Sequence, residues 1–318
     1  MKASAPGKII LFGEHAVVYG RPALAIPVTQ VHADVEISES SRAGIWIHAS
    51  AIGLHAELNS LPSDHPLAAV IRKFFPRPNT FPSPLLRDPL PRGEGGIEIK
   101  ITSTIPVASG LGSGAAVSVA MIRALSSMVH RPLSDDQVSA MAYEIEKLHH
   151  GTPSGIDNTV VTYAKPVYFI KGQPIEILKV GKPFTIVIGD TGISAPTKES
   201  VADVRKLWEA DKTKWEKVFD EVGEIAKKAK EKIESGRWEE LGELMNQNHV
   251  LLKEMTVSSP ELDKLVSAAR KAGALGAKMS GGGRGGNMIA LVTPDMAEAV
   301  ARSMKEAGAK NTIVTNVS

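Results

Sequence analysis

Hydrophobic and polar residues alternate along much of the first 47 positions, most clearly from Val31 to Ile37 and again from Ile45 to Ile47. A period of two predicts strands, so the chain is expected to open as a sheet. Ile97, Ile99 and Ile101 repeat the pattern, and the chain then enters the glycine-rich stretch IPVASGLGSGAA. Beyond it, Val117, Ala120, Met121, Ala124, Leu125 and Met128 recur at helical spacing and predict a buried helix that begins where the glycines stop. Ser134 and Gln137 have the spacing of a capping box, followed by an apolar face of Val138, Met141, Ala142, Ile145 and Leu148 that Gly151 is expected to end. After HGTPSGIDN, short strands are expected around Thr159 to Tyr163 and Val167 to Ile170, with another from Phe184 to Gly189.

The second half reads as mostly helical. Charged amphipathic stretches cover Thr197 to Met255, and a further helix starts at Ser259 with Pro260 in its first turn and ends near Gly273. Strand-like Ala277 to Met279, the run SGGGRGG, a strand from Met288 to Val292, a helix from Asp295 to Ala307 and a strand from Thr312 to Val317 complete the chain. The expected class is α+β with two domains, residues 1–180 and 181–318. Between Phe75 and Gly96, six prolines and three glycines can neither pair as a central strand nor continue a helix, which predicts a surface insertion over residues 75–96.

Composition narrows the classes of function. With 318 residues, 43% of them hydrophobic, the chain can bury a sizeable core. A formal charge of only +2 and the lack of a long basic run argue against a nucleic-acid partner. The absence of cysteine excludes disulfides, thiolate zinc sites and cysteine nucleophiles, so a metal would be held by oxygen or imidazole. The first residues lack a signal-peptide core and no apolar run is long enough to span a bilayer, so a soluble, cytoplasmic protein without membrane partners is expected.

Four segments carry candidate chemistry. In Ser109 to Ala116, Gly110, Gly112 and Gly114 let the backbone turn tightly before a helix N-terminus, an arrangement that offers amides to a phosphate; tight packing alone would also explain it. A second run, Gly281 to Gly286, holds Arg284, which either pairs with phosphate or is solvated. Asp157 follows a Pro-Ser-Gly turn, where a constrained carboxylate can orient a proton or simply cap a turn. Eleven residues earlier Glu146 could give an oxygen to Mg²⁺, although Glu144 flanks the same apolar face equally well. Lys8 lies in an apolar strand and is either buried with an anionic partner or solvent-facing at an edge. Glu14 and His15 precede Ala16, Val17 and Val18, a wall suited to a ligand with hydrocarbon character.

In order, PGKIILFGEHAVVYG, PVASGLGSGAAVSVA, GTPSGIDN and KMSGGGRGG resemble the motifs of the kinase superfamily that includes galactokinase, homoserine kinase, mevalonate kinase and phosphomevalonate kinase. GDTGISAPTKE and the stretch from Leu244 to Gly281 resemble mevalonate kinases in particular. The resemblance implies an N-terminal domain like ribosomal protein S5 domain 2, a C-terminal ferredoxin-like domain and an active site in the cleft between them. It implies ATP as phosphoryl donor, Mg²⁺ as cofactor, mevalonate as acceptor and a homodimer as a plausible assembly. By the same resemblance, Asp157 is the catalytic carboxylate with Lys8 beside it, and Ala108, Ser109, Gly110, Leu111, Gly112, Ser113 and Gly114 wrap the ATP phosphates. Glu146 and Ser113 bind the metal, and Glu14, His15 and Thr191 border the acceptor. One departure is Gly114, where mevalonate kinases usually carry a serine whose hydroxyl serves Mg²⁺. Another acceptor of the same superfamily, or a catalytically silent ligand-binding relative, are the competing readings.

Overall fold

A computed structural model describes residues 1–75, 95–106, 109–150, 153–194 and 197–318. Two compact units emerge, and neither follows the chain simply: one comprises residues 1–7, 31–107 and 112–163, the other residues 8–30, 108–111 and 164–318.

In the first unit, β1 (Lys2–Phe12) contributes its start and β2 (Ala23–Ser40) its second half. They are joined by β3 (Gly44–Ala49), β4 (Leu54–Glu57), α1 (Pro66–Phe74), β5 (Gly96–Ser103), α2 (Ser113–Met128), α3 (Asp135–His150) and α4 (Ile156–Tyr163). β3 pairs antiparallel with β4 and parallel with β5, and β5 pairs antiparallel with β2 from Ala33↔Ser103 to Ser40↔Gly96. The alternation seen in the sequence is the burial pattern: Ile97, Ile99 and Ile101 are buried and Lys100 is exposed. A parallel pair needs a long crossover, and the chain from β3 to β5 supplies it through β4 and α1. Residues 76–94, most of the expected insertion, lie outside the described residues.

One expectation fails here. Thr159 to Tyr163 is not a strand but the end of α4, and Asp157 stands in the first turn of that helix rather than on a loop. The run Thr159, Val160, Val161, Thr162 is β-branched and favours a strand locally. Its helical form is held by tertiary contacts: Asn158 Nδ2 donates to Ser139 Oγ at 2.8 Å on α3, and Arg123 on α2 donates to Thr162 O at 2.6 Å. The expected capping box is present, with Ser134 N donating to Gln137 Oε1 at 2.9 Å and Gln137 N to Ser134 Oγ at 3.3 Å.

The second unit contains β6 (Val167–Phe169), β7 (Glu176–Ile177), β8 (Phe184–Asp190), α5 (Thr197–Ala210), α6 (Lys212–Glu234), α7 (Leu241–Glu254), α8 (Pro260–Lys271), β9 (Gly276–Ser280), β10 (Asn287–Val292), α9 (Ala297–Glu306) and β11 (Asn311–Val317). Four strands form an antiparallel sheet in the order β11-β8-β10-β9. With helices between β8 and β9 and between β10 and β11, this is the ferredoxin-like arrangement. Every residue of β8, β9 and β10 is buried, so β8 and β10 read as largely apolar rather than alternating segments, whereas β9 buries the polar Lys278 and Ser280. Met279, Met288, Ala290, Val266, Val300 and Met304 are among the residues that form the core between this sheet and its helices. Among the described residues no helix is long and apolar enough to cross a membrane.

α7 meets the start of β9 backbone to backbone. A Cβ on Gly276 would lie 2.0 Å from Gly242 O, and one on Gly242 would lie 2.4 Å from Leu275 O. The approach admits no side chain at either position, and it fixes where β9 begins. Gly276→Ala is expected to destabilise the protein by about 1–3 kcal/mol, as overpacking does, measured as a lower urea midpoint with secondary structure retained; an unchanged midpoint would contradict the contact.

Candidate active site

The second unit gathers several of the expected site residues around the glycine run that follows β9. Glu14 and His15 come directly after β1, at the start of a short 3-10 turn over Ala16–Tyr19. The Glu14 carboxylate is ion-paired with Lys278 Nζ on β9, and both side chains have 0% exposure. Lys278 Nζ also donates to Met279 O at 2.7 Å. Burial pushes the Glu14 carboxyl up and the Lys278 ammonium down, and each is opposed by the charge of the other. Glu14 Oε2 is buried and accepts no hydrogen bond from the described protein groups.

His15 Nε2 donates to Gly282 O at 3.1 Å, and Ser280 Oγ donates to Ile10 O at 2.7 Å, so β1 and the turn after it are laced to the end of β9. Farther along the run, Thr191 N and Thr191 Oγ1 both donate to Gly286 O at 2.9 Å, while Asn287 Nδ2 donates to Ser109 O. Lys8 N donates to Leu111 O at 2.9 Å. Residues 109–111 of the first glycine loop are therefore fixed by β1 on one side and β10 on the other. Lys8 itself is buried, which removes the solvent-facing alternative for it.

Arg284, half-buried, is held by protein partners. Its Nη1 pairs with Asp203 Oδ2 of α5 at 2.6 Å, its Nε donates to Thr256 O at 3.3 Å and its backbone N–H donates to Val257 O at 2.7 Å. Among the described residues, five non-glycine residues have a positive φ, and three of them, His15, Thr256 and Arg284, belong to this contact set. Strained backbone in three segments that meet through hydrogen bonds marks a place where geometry is over-determined, as ligand sites are. A Cβ on Gly283 would lie 1.9 Å from Val257 O, so the run is pressed flat against the turn after α7.

In the first unit, Gly112 takes a left-handed conformation with φ 76° and starts α2 at Ser113. No side chain caps this helix end and its first turn holds no acidic residue, so no carboxylate there compensates the positive end of the dipole. A Cβ at Gly114 would meet nothing within 4 Å. On α3 the ambiguity between two carboxylates is resolved: Glu146 is buried, whereas Glu144 is exposed and paired with Lys147 at 2.6 Å. Asp157, half-buried at the start of α4, gains from that helix's dipole. Ala108 lies outside the described residues.

Sequence reasoning missed Lys278, Asn287 and His249. Lys278 had the same signature that singled out Lys8, a lysine flanked by apolar residues in a strand that leads to a glycine run. His249 on α7 accepts from Met279 N at 3.3 Å and pairs with Asp263 at 3.2 Å.

Two segments of the chain match the descriptions "GHMP kinases N terminal domain", over residues 84–165, and "GHMP kinases C terminal", over residues 229–310. The mevalonate kinase of Thermococcus gammatolerans is 39% identical, covering 96% of this chain and 93% of its own, and that of Pyrococcus furiosus is 38% identical over the same shares. The solved structure of L. major mevalonate kinase in complex with R-mevalonate aligns with a TM-score of 0.81 at 29% identity, covering 100% of this chain and 95% of that one.

Two tests follow from the buried groups. Removing one partner of the buried pair leaves the other charge alone, so Lys278→Met is expected to cost about 3–5 kcal/mol, read by urea denaturation, with part of the loss restored in Glu14→Gln/Lys278→Met; a mild single-variant effect would contradict the pairing. Burial lowers the imidazole pKa of both His15 and His249 to about 4 from 6.5. The unfolded chain takes up these protons first, so their contribution is whole above pH 6.5 and is lost as the pH falls from 6.5 to about 4. His15→Gln and His249→Gln should each flatten that slope in urea midpoints measured against pH.

With relatives this similar along nearly its whole length, the chain belongs to the mevalonate kinase family of GHMP kinases.

Proposed function

We propose that the chain transfers the γ-phosphoryl group of ATP to the 5-hydroxyl of mevalonate, giving 5-phosphomevalonate and ADP. The observation that carries the reading is the identity of 38–39% to mevalonate kinases over 96% of the chain. The site chemistry supports it. Glu14 and His15 precede buried, apolar Ala16 and Val17, so two polar groups stand beside an apolar wall, which suits a branched hydroxy acid better than a sugar.

In this reading Asp157 orients the acceptor hydroxyl and receives its proton. Lys8 and the amides of residues 108–114 bear the charge of the phosphates, so all the proposed nucleotide contacts fall within residues 1–180. Phosphoryl transfer has a loose transition state, and catalysis by such groups is chiefly positioning and charge stabilisation. Glu14, His15 and Thr191 hold the acceptor. The Lys278 contact opposes the upward push of burial on the Glu14 carboxyl.

Mg²⁺ fits the residues present in a limited way. Among the described residues no group of three or more His, Asp or Glu could hold a metal ion by itself. Mg²⁺ retains waters readily and is commonly carried by nucleotide phosphates with one or two protein oxygens. Glu146, a buried carboxylate on α3, and Ser113, in the first turn of α2, are the donors we assign. Bound there, the ion would neutralise phosphate charge.

Release of ADP is expected with mevalonate and not with phosphomevalonate, homoserine or galactose; turnover of one of these instead would replace the acceptor. Asp157→Asn should lower turnover by roughly 100-fold to 10,000-fold while nucleotide binding, followed by calorimetry, is preserved. An undiminished rate would refute the role of Asp157. Because the space beside Gly114 is open, Gly114→Ser should fold normally and lower the Mg²⁺ concentration needed for half-maximal rate. An unchanged requirement would show that this position does not reach the metal.

A further inference from the structure

Outside the glycine run, the second unit has a polar cleft of about 490 Å³ between α7 and α8. Its lining includes His249 and Lys253, one helical turn apart on α7, and Asp263, Ser267, Arg270 and Lys271, which share one face of α8. The only carboxylate in that lining is already committed. Asp263 pairs with Lys253 Nζ at 2.7 Å and His249 Nε2 at 3.2 Å and accepts from Ser258 Oγ at 2.6 Å.

Arg270 and Lys271 are exposed and have no carboxylate partner among the described residues. With His249 neutral, three cations against one anion leave the cleft with a net charge of +2. Arg270, Lys271 and Ser267 line the same cleft, and a guanidinium, an ammonium and a hydroxyl are donors that recognise phosphate oxygens.

The cleft also has an inward connection. His249, a buried lining residue, accepts from the amide of Met279, the residue next to Lys278. Lys278 Nζ binds both Met279 O and the Glu14 carboxylate. Asp263, the Lys278–Met279 peptide and Glu14 are thus linked through consecutive hydrogen bonds and ion pairs. A second anion in the cleft competes with Asp263 for Lys253 and alters the hold of Asp263 on His249.

We propose that the α7–α8 cleft is a second anion site for a phosphate-bearing small molecule, and that its occupancy is relayed through His249 and the Met279 amide to the Glu14–Lys278 pair. The binding part stands whatever the acceptor. The effect on turnover rests on the placement of Glu14 beside the acceptor proposed above.

The test is equilibrium dialysis of radiolabelled inorganic phosphate against the full chain saturated with a non-hydrolysable ATP analogue, so that the nucleotide site is already filled. One further phosphate per chain is expected. Arg270→Ala/Lys271→Ala should weaken it about tenfold or more, while Lys228→Ala, an exposed lysine on α6, should leave it unchanged. No phosphate beyond the nucleotide site, or equal binding by the double variant, overturns the site. A phosphomonoester that competes at similar concentration shows recognition of the phosphate alone, and one that competes at much lower concentration adds its organic part to the assignment. Hydrogen exchange at residues 276–280 should slow with phosphate in the wild-type chain only, and unchanged exchange overturns the relay. A shift of the acceptor KM that disappears in the double variant supports the link to turnover. If phosphate binds and slows exchange without moving KM, the placement of Glu14 is at fault and the anion site stands.

Discussion

A carboxylate and an ammonium sharing a site with no solvent exposure constrain this protein more than any other contact. Placing two charges in a low-dielectric interior is expensive, and their attraction offsets the cost only when the geometry is held on both sides. Glu14 is held by the turn after β1, whose neighbour His15 reaches Gly282, and Lys278 is held by β9 and by Met279 O. The pair therefore cannot be formed loosely. It sets the position of the β1 turn relative to the glycine run, and with it the free lone pair of Glu14 Oε2. A hydrophobic pair of the same volume could give equal stability, so the pair is a constraint on geometry more than a source of stability.

The same constraint accounts for the backbone strain around residues 281–286. Glycines can enter left-handed conformations at little cost, but His15, Thr256 and Arg284 cannot, and each of the three makes or receives a hydrogen bond that holds it there. Arg284 in particular occupies a position where glycine would be easier. Its guanidinium ties the run to Asp203 of α5 and to Thr256 O, so the side chain acts on loop position rather than on a ligand. The run is rigid because four separate segments, the β1 turn, the strand end at Thr191, α5 and the turn after α7, all bond to it.

Much of this was legible in the sequence, for physical reasons that also explain the misses. Long periodic segments such as α2, α8 and β5 are read directly because burial follows the spacing of apolar residues. Thr159 to Tyr163 was misread because its β-branched residues favour a strand, and only the contacts from Ser139 and Arg123, distant in sequence, decide for a helix. Glu144 and Glu146 are equivalent on a helical wheel, and the choice between them depends on which side of α3 meets α2 and α4. Lys278 went unnoticed because its partner lies 264 positions away. Nothing in a single strand says whether a lysine in it has been given a carboxylate.

Gly114 shows how a departure from the family pattern can be read in physical terms. Glycine in the first turn of α2 weakens that turn and removes a hydroxyl, yet the space beside it is open rather than filled by a compensating side chain. Had the position been closed by packing, the absence of serine would be structural. Because it is open, the loss falls on whatever the hydroxyl would have bound, and water can occupy the same volume. The uncapped amides at the start of α2 and the lack of any acidic residue in its first turn keep the local field positive. In the function proposed above, a phosphate would be attracted there with or without the hydroxyl, and the metal rather than the nucleotide would be the component that glycine at this position holds less well.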